Sequence, residues 1–132
     1  MLKASLLNFT LFCLFDAIWW GLIMKGFFKK EMGHLARIDS GSVNIYYPSA
    51  VGVYVLMSFL LSLFVVFSER VNSITDASLY GAILGLGLFV TFDFTNHALI
   101  DKYPIKFALV DTAWGTLMCG AVAAITYRIC VQ

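Results

Sequence analysis

Charge is what this sequence has least of. Of its 132 residues, 9 are Lys or Arg and 8 are Asp or Glu, 13% of the chain against roughly 25% in an ordinary soluble domain. A small soluble domain has much surface for its volume and needs polar residues to cover it. With 61% hydrophobic residues and a mean hydropathy of +0.86, this chain is neither a soluble globular protein nor a disordered one. Its net charge is +1 and it has no basic tract, which excludes a nucleic-acid footprint. Cysteines are few and unpaired in spacing: Cys13 and Cys119 lie inside apolar runs and Cys130 near the end. That excludes a disulfide framework or a zinc site and leaves them as small apolar residues. No cofactor and no metal site is expected. The apolar runs do not alternate with polar residues, and they are too long for barrel strands.

What is present is four long apolar stretches. A spanning helix needs ~20 mostly apolar residues, because the bilayer core is roughly 30 Å thick and a helix rises about 1.5 Å per residue. The stretches are 4–24, 46–68, 78–100 and 107–127. The expectation is an all-α polytopic membrane protein: one membrane domain over 1–132, with four helices in an antiparallel bundle and the lipid bilayer as its solvent. Lys3 followed by an apolar run superficially matches a secretory leader. However, Asp16 interrupts the run, and Trp19, Trp20, Phe27 and Phe28 stand where small cleavage-site residues belong, so the first span is expected to be retained.

The first connection, Lys25–Ile45, holds six charges, and within it Phe28, Met32 and Leu35 recur at helical spacing. This pattern predicts a short amphipathic helix lying in the membrane interface. Asp39–Ser42 reads as a turn, and Pro104 stops the third helix in a tight connection. Orientation follows Lys and Arg alone. Lys25, Lys29, Lys30, Arg37, Lys102 and Lys106 lie on the first and third loops, against Lys3, Arg70 and Arg128 elsewhere. The first and third loops are therefore expected in the cytoplasm and both termini outside.

The spans contain no Lys or Arg before their ends, yet Asp16, Asp93 and Asp111 lie inside them. A charge near the bilayer centre costs at least ~2.5–3.5 kcal/mol on insertion scales. All three acids fall ~6–12 Å in from the side of the first and third loops, which implies one polar pocket in that half of the bundle. Asp93, Asn96 and His97 share a helical face by their i, i+3, i+4 spacing. Asp111 and Trp114 share another, as do Asp16, Trp19 and Trp20. With His34 from the adjoining loop, these nine residues are the expected pocket, leaving the uncharged second span mainly for packing. Gly81-x-x-x-Gly85 permits close helix approach and is a candidate face for a homodimer.

Two echoes run through the chain. Phe15-Asp16 precedes Leu22-Ile23 at the spacing that separates Phe92-Asp93 from Leu99-Ile100, as a duplicated hairpin would. Asp16-x-x-Trp19 matches Asp111-x-x-Trp114, one turn apart, so that an indole N–H can serve a nearby polar group.

At these residues the chain resembles a bacterial family of predicted membrane proteins known as domain of unknown function 2177. The resemblance rests on Asp16-x-x-Trp19, on Thr91-Phe92-Asp93-Phe94-Thr95-Asn96 and on Leu109-Val110-Asp111-Thr112-Ala113-Trp114-Gly115-Thr116. It covers essentially the whole chain, including the basic first loop and the Pro104 turn, and departs at Phe92, where Tyr is expected. It implies four spans and a bacterial inner membrane and carries no established activity.

Three functional readings stand at this point. The acids could serve a proton- or cation-coupled carrier. They could belong to a membrane-embedded site for a lipid or small hydrophobic ligand, with Asp93, His97, Asp111 and His34 supplying acid–base or divalent-metal chemistry if the site is enzymatic, although no H-E-x-x-H spacing is present. Trp19, Trp20 and Trp114 near the acids suit an apolar or cationic ligand. Or the acids could be structural, in an accessory subunit, with Asp, Asn and His joining helices by hydrogen bonds worth about 0.6 kcal/mol each.

Overall fold

The computed structural model describes residues 1–132. The chain is almost wholly helical. Helix α1 covers Leu2–Ile18 and runs into a π-helical turn, Trp19–Ile23. A short helix α2, Lys25–Met32, follows, and then a two-stranded antiparallel hairpin, β1 Ile38–Asp39 with β2 Ser42–Val43. Helix α3 covers Tyr47–Leu61 and ends in a second π turn, Ser62–Val66. Helices α4, Ile74–Leu99, and α5, Ile105–Cys130, complete the chain. Four of these helical segments are long and apolar enough to cross a membrane: Leu2–Ile23, Tyr47–Val66, Ile74–Leu99 and Ile105–Cys130. The protein is thus a polytopic all-α membrane protein.

Local chemistry sets the boundaries. Ser73 caps α4 by accepting the Asp76 N–H at 3.0 Å, while Asp76 accepts the Asn72 N–H at 3.2 Å, a reciprocal cap. It starts α4 at Ile74, four residues earlier than Ser78. Pro104 ends the turn after α4 and caps α5, where its missing N–H costs nothing. Both π turns close with an i→i−5 bond, Met24 N–H to Trp19 O at 2.6 Å and Phe67 N–H to Ser62 O at 3.0 Å. The β1–β2 turn places Ser40 and Gly41 at φ 48° and 79°, the left-handed pair that a two-residue hairpin requires.

Helix α5 is the centre of the bundle. It packs along its length on α4 and crosses α1, while α3 packs on α1. Gly81 and Gly85 of α4 lie against Cys119, Ala123 and Gly115 of α5. The glycine face is therefore closed within one chain and is not available as the dimer contact expected from Gly81-x-x-x-Gly85. A Cβ at Gly81 would lie 2.6 Å from the Ala123 Cβ, and one at Gly85 2.6 Å from the Gly115 carbonyl oxygen, so only glycine lets the helices approach this closely.

Helices α3 and α4 meet through the second π turn. From there they diverge toward the end that bears the first and third loops. At that end α2 turns its apolar face inward: Phe27, Phe28 and Met32, with Trp20, pack on Tyr103, Phe107 and Ala108. Lys29 Nζ donates to Gly41 O at 2.6 Å, and His34 Nε2 lies 2.9 Å from Lys102 O. The first loop is thereby folded over the start of α5.

Candidate functional site

The three acids come from three helices and meet in the half of the bundle near the first and third loops. Asp16 of α1 accepts two hydrogen bonds, from Trp114 Nε1 at 2.7 Å on one oxygen and from the Tyr54 hydroxyl at 2.6 Å on the other. Asp93 of α4 is fully buried and also accepts two, from the Tyr103 hydroxyl at 2.9 Å and from Thr112 Oγ1 at 3.1 Å. Asp111 of α5 lies within hydrogen-bonding reach of the Asp93 carboxyl and close to Asp16. No hydroxyl, indole or amide of the chain donates to it. No Lys, Arg or His forms an ion pair with any of the three, so each is served by neutral donors or by another acid.

Tyr103 lies in the turn between α4 and α5. Burial and the adjoining Asp93 carboxyl push its phenol well above the ordinary tyrosine range, so it remains a proton donor to Asp93.

Beside this cluster lies a cleft of about 490 Å³, within the range of small-ligand sites. Its floor carries Asp16 and Asp111, and its walls are apolar: Val53, Leu56 and Met57 from α3, Leu88 and Phe92 from α4. Val53, Leu56 and Phe92 are more than half exposed on the outer surface of the bundle. The cleft therefore opens sideways, through the gap between α3 and α4, toward the hydrocarbon.

The other residues expected in the pocket divide. Trp114 belongs to it through Asp16. Trp20 lines the cleft and packs edge-on against Phe28. Trp19 stacks flat on Trp114, centroids 4.4 Å apart and planes within 4°, while its Nε1 is the one buried side-chain polar atom with no partner. The indole service expected of the repeated Asp-x-x-Trp is thus performed by Trp114, across helices, and not by Trp19. Asn96 approaches Tyr103 at the rim. His97 and His34 lie outside the pocket. His97 Nδ1 is 3.0 Å from Tyr103 O, and His34 is spent on Lys102 O, so both rings hold the α4–α5 turn. Helical spacing places His97 on the face of Asp93, but α4 ends at Leu99 and the chain folds back over it. Asp, His and Cys side chains nowhere gather in a group of three that could hold a metal. The hairpin echo does not extend to the bonding: Asp93 is sealed, whereas Asp16 is half-buried and faces the cleft.

Three residues that hold the site are absent from the sequence-based set: Tyr54, Tyr103 and Thr112. The uncharged second span is not mere packing. It supplies Tyr54 to Asp16, and Ser58 and Ser62 to a second buried network. There Asn8 Nδ2 donates to Ser62 Oγ at 3.0 Å and Ser58 O at 3.2 Å, and Thr126 Oγ1 donates to Asn8 Oδ1 at 2.6 Å. Tyr54, Ser58 and Ser62 recur every fourth residue, and Asn8 precedes Asp16 by two helical repeats. Those spacings were the available signals.

The family model for the predicted membrane proteins DUF2177 matches residues 1–128. The chain belongs to this family. No curated protein and no solved structure matches it. Membership in DUF2177 agrees with the four spanning helices and leaves the activity to be argued from the site.

Proposed function

We propose that this protein binds an amphiphilic ligand dissolved in the bilayer, which enters sideways between α3 and α4 and sets its polar end on Asp111 and Asp16. The observation that carries this reading is the cleft itself, with apolar walls open to lipid and a carboxyl floor. Asp111 lies on that floor and receives no hydrogen bond from a hydroxyl, indole or amide of the chain, so its carboxyl is the one left to meet a ligand. For Asp16 and Asp93, whose oxygens are all bonded, a purely structural role accounts for the geometry. Asp111 has no such set of donors and lines the cleft.

Binding at this site is favoured over a carrier by the other half of the bundle. There the buried Asn8, Ser58, Ser62 and Thr126 bond to one another, with Ser5 donating to Ser62 Oγ at 3.0 Å. Along α1 and α5 the side chains between the acids and that network include the buried, apolar Phe12, Met118, Cys119 and Val122. By the excess of Lys and Arg on the first and third loops, the site lies in the cytoplasmic half of a bacterial inner membrane.

The test is saturable binding to the purified protein in lipid nanodiscs, using decanol brominated at mid-chain as probe. Trp20 lines the cleft, so a bound bromine quenches its fluorescence. Quenching should saturate in the wild type, and Val53→Phe, which fills the wall, should weaken it severalfold. Quenching that rises linearly and equally in both proteins would mean bulk partitioning and no site.

A further inference from the structure

The polar end of the ligand has a chemistry that the cleft itself specifies. Its floor carries two carboxyl groups, and no Lys, Arg or His lines it. Four aromatic side chains line the same cleft: Trp20, Tyr54, Phe89 and Phe92. Aromatic faces and carboxylates attract the same partner, an organic cation, most strongly where water is excluded. An anionic head, such as a phosphate or fatty carboxylate, finds no positive charge here.

A second observation concerns the proton. Asp111 is 8% exposed and lines the cleft. Its neighbour is the Asp93 carboxyl, and two adjacent carboxyl groups with no cation beside them share a proton. Both Asp93 oxygens already accept hydroxyl hydrogens, from Tyr103 and Thr112. The shared proton therefore falls to Asp111, the acid with no donor of its own. The other titratable groups near this pair are Asp16 from α1, Tyr54 from α3 and Tyr103 from the turn, with Cys13 and Cys119 beside Asp16. None of them is a base that brings positive charge.

On the reading that the cleft binds an amphiphile, we infer that its ligand is a cationic amphiphile, an alkyl chain with an ammonium head, and that its binding exchanges the head for the Asp111 proton. The step balances as one O–H bond of Asp111 broken, one proton released and one ammonium–carboxylate pair formed.

The experiment uses the purified full chain in nanodiscs of zwitterionic lipid, with protein-free nanodiscs subtracted. The probes are decyltrimethylammonium, which has no proton of its own, and decanol, its neutral counterpart. Calorimetry in two buffers of different ionisation enthalpy counts the protons released. The expected result is about one proton per decyltrimethylammonium bound, with affinity rising up to about tenfold per pH unit, and none with decanol. Asp111→Asn should abolish the proton release and flatten the pH dependence. If that variant does not fold, the wild-type proton count alone decides. Equal binding of both probes without proton release would overturn the exchange and leave the cleft reading standing. Saturable binding of neither probe would overturn both.

Discussion

Asp16 and Asp111 lie side by side under opposite bonding. Asp16 receives two neutral donors, and Asp111 receives none from a hydroxyl or indole. The two tryptophans over Asp16 differ in the same way. Trp114 spends its N–H on the carboxyl at 2.7 Å, whereas Trp19 stacks on it with an unpaired N–H. Trp114→Phe should therefore destabilise the fold by about 1.5–3 kcal/mol, as expected for a lost bond to a buried acid. Trp19→Phe removes no hydrogen bond and should stay within about 1 kcal/mol. Unfolding by SDS titration from mild detergent micelles measures both; equal losses would show that the stack, not the bond, carries the energy. The acids themselves were legible in the sequence, because a charge inside an apolar run is conspicuous and its depth can be counted. Their neutral partners were not. Tyr54, Tyr103 and Thr112 carry no charge, and Tyr103 reaches Asp93 from a turn, where no helical period applies. The two histidines misled for a related reason: periodicity gives a face but not what the chain folds over that face, and backbone carbonyls took both rings.

At the scale of the element, the fold depends on how closely α4 and α5 approach. Gly81 and Gly85 meet α5 where a Cβ has no room, and Gly115 receives the Phe89 ring. Gly87, two residues on from Gly85, faces open space. Gly85→Ala should cost about 1–3 kcal/mol through overpacking against the α5 backbone. Gly87→Ala should be neutral or stabilising by up to about 1 kcal/mol through helix propensity. Thermal unfolding in detergent checks the pair, and a loss at Gly87 equal to that at Gly85 would contradict the interlock. The small-xxx-small spacing was visible in the sequence, but it cannot say whether the partner helix belongs to the same chain. The four long helices, the turn at Asp39–Ser42 and the short α2 followed from apolar runs and turn chemistry, but α4 and α5 run 26 residues each, past the ends those runs suggest, and α2 stops at Met32, short of Leu35. The two π turns did not, since Trp19–Ile23 and Ser62–Val66 contain no proline or other sequence feature that marks one.

The whole molecule is asymmetric along its axis. At one end the Asn8 network and the Val65, Val122 and Tyr127 core join all four spanning helices. At the other, α2 and the third loop seal α1 to α5, while α3 and α4 splay apart over the acids. A bundle whose acid-bearing half opens sideways between α3 and α4 suits a ligand that arrives from the hydrocarbon and leaves by the same route. This arrangement was only half legible: the depth of the acids fixed the polar half, but no residue pattern announces which pair of helices stays apart. The most direct measurement is photolabelling in nanodiscs with an alkyl ammonium that carries a diazirine on its chain, followed by mapping of the labelled residues. Labels should concentrate on Val53, Met57, Leu88 and Phe92 and be displaced by unlabelled decyltrimethylammonium. Labels spread evenly over the lipid-facing surfaces of all four helices, and not displaced, would contradict the account.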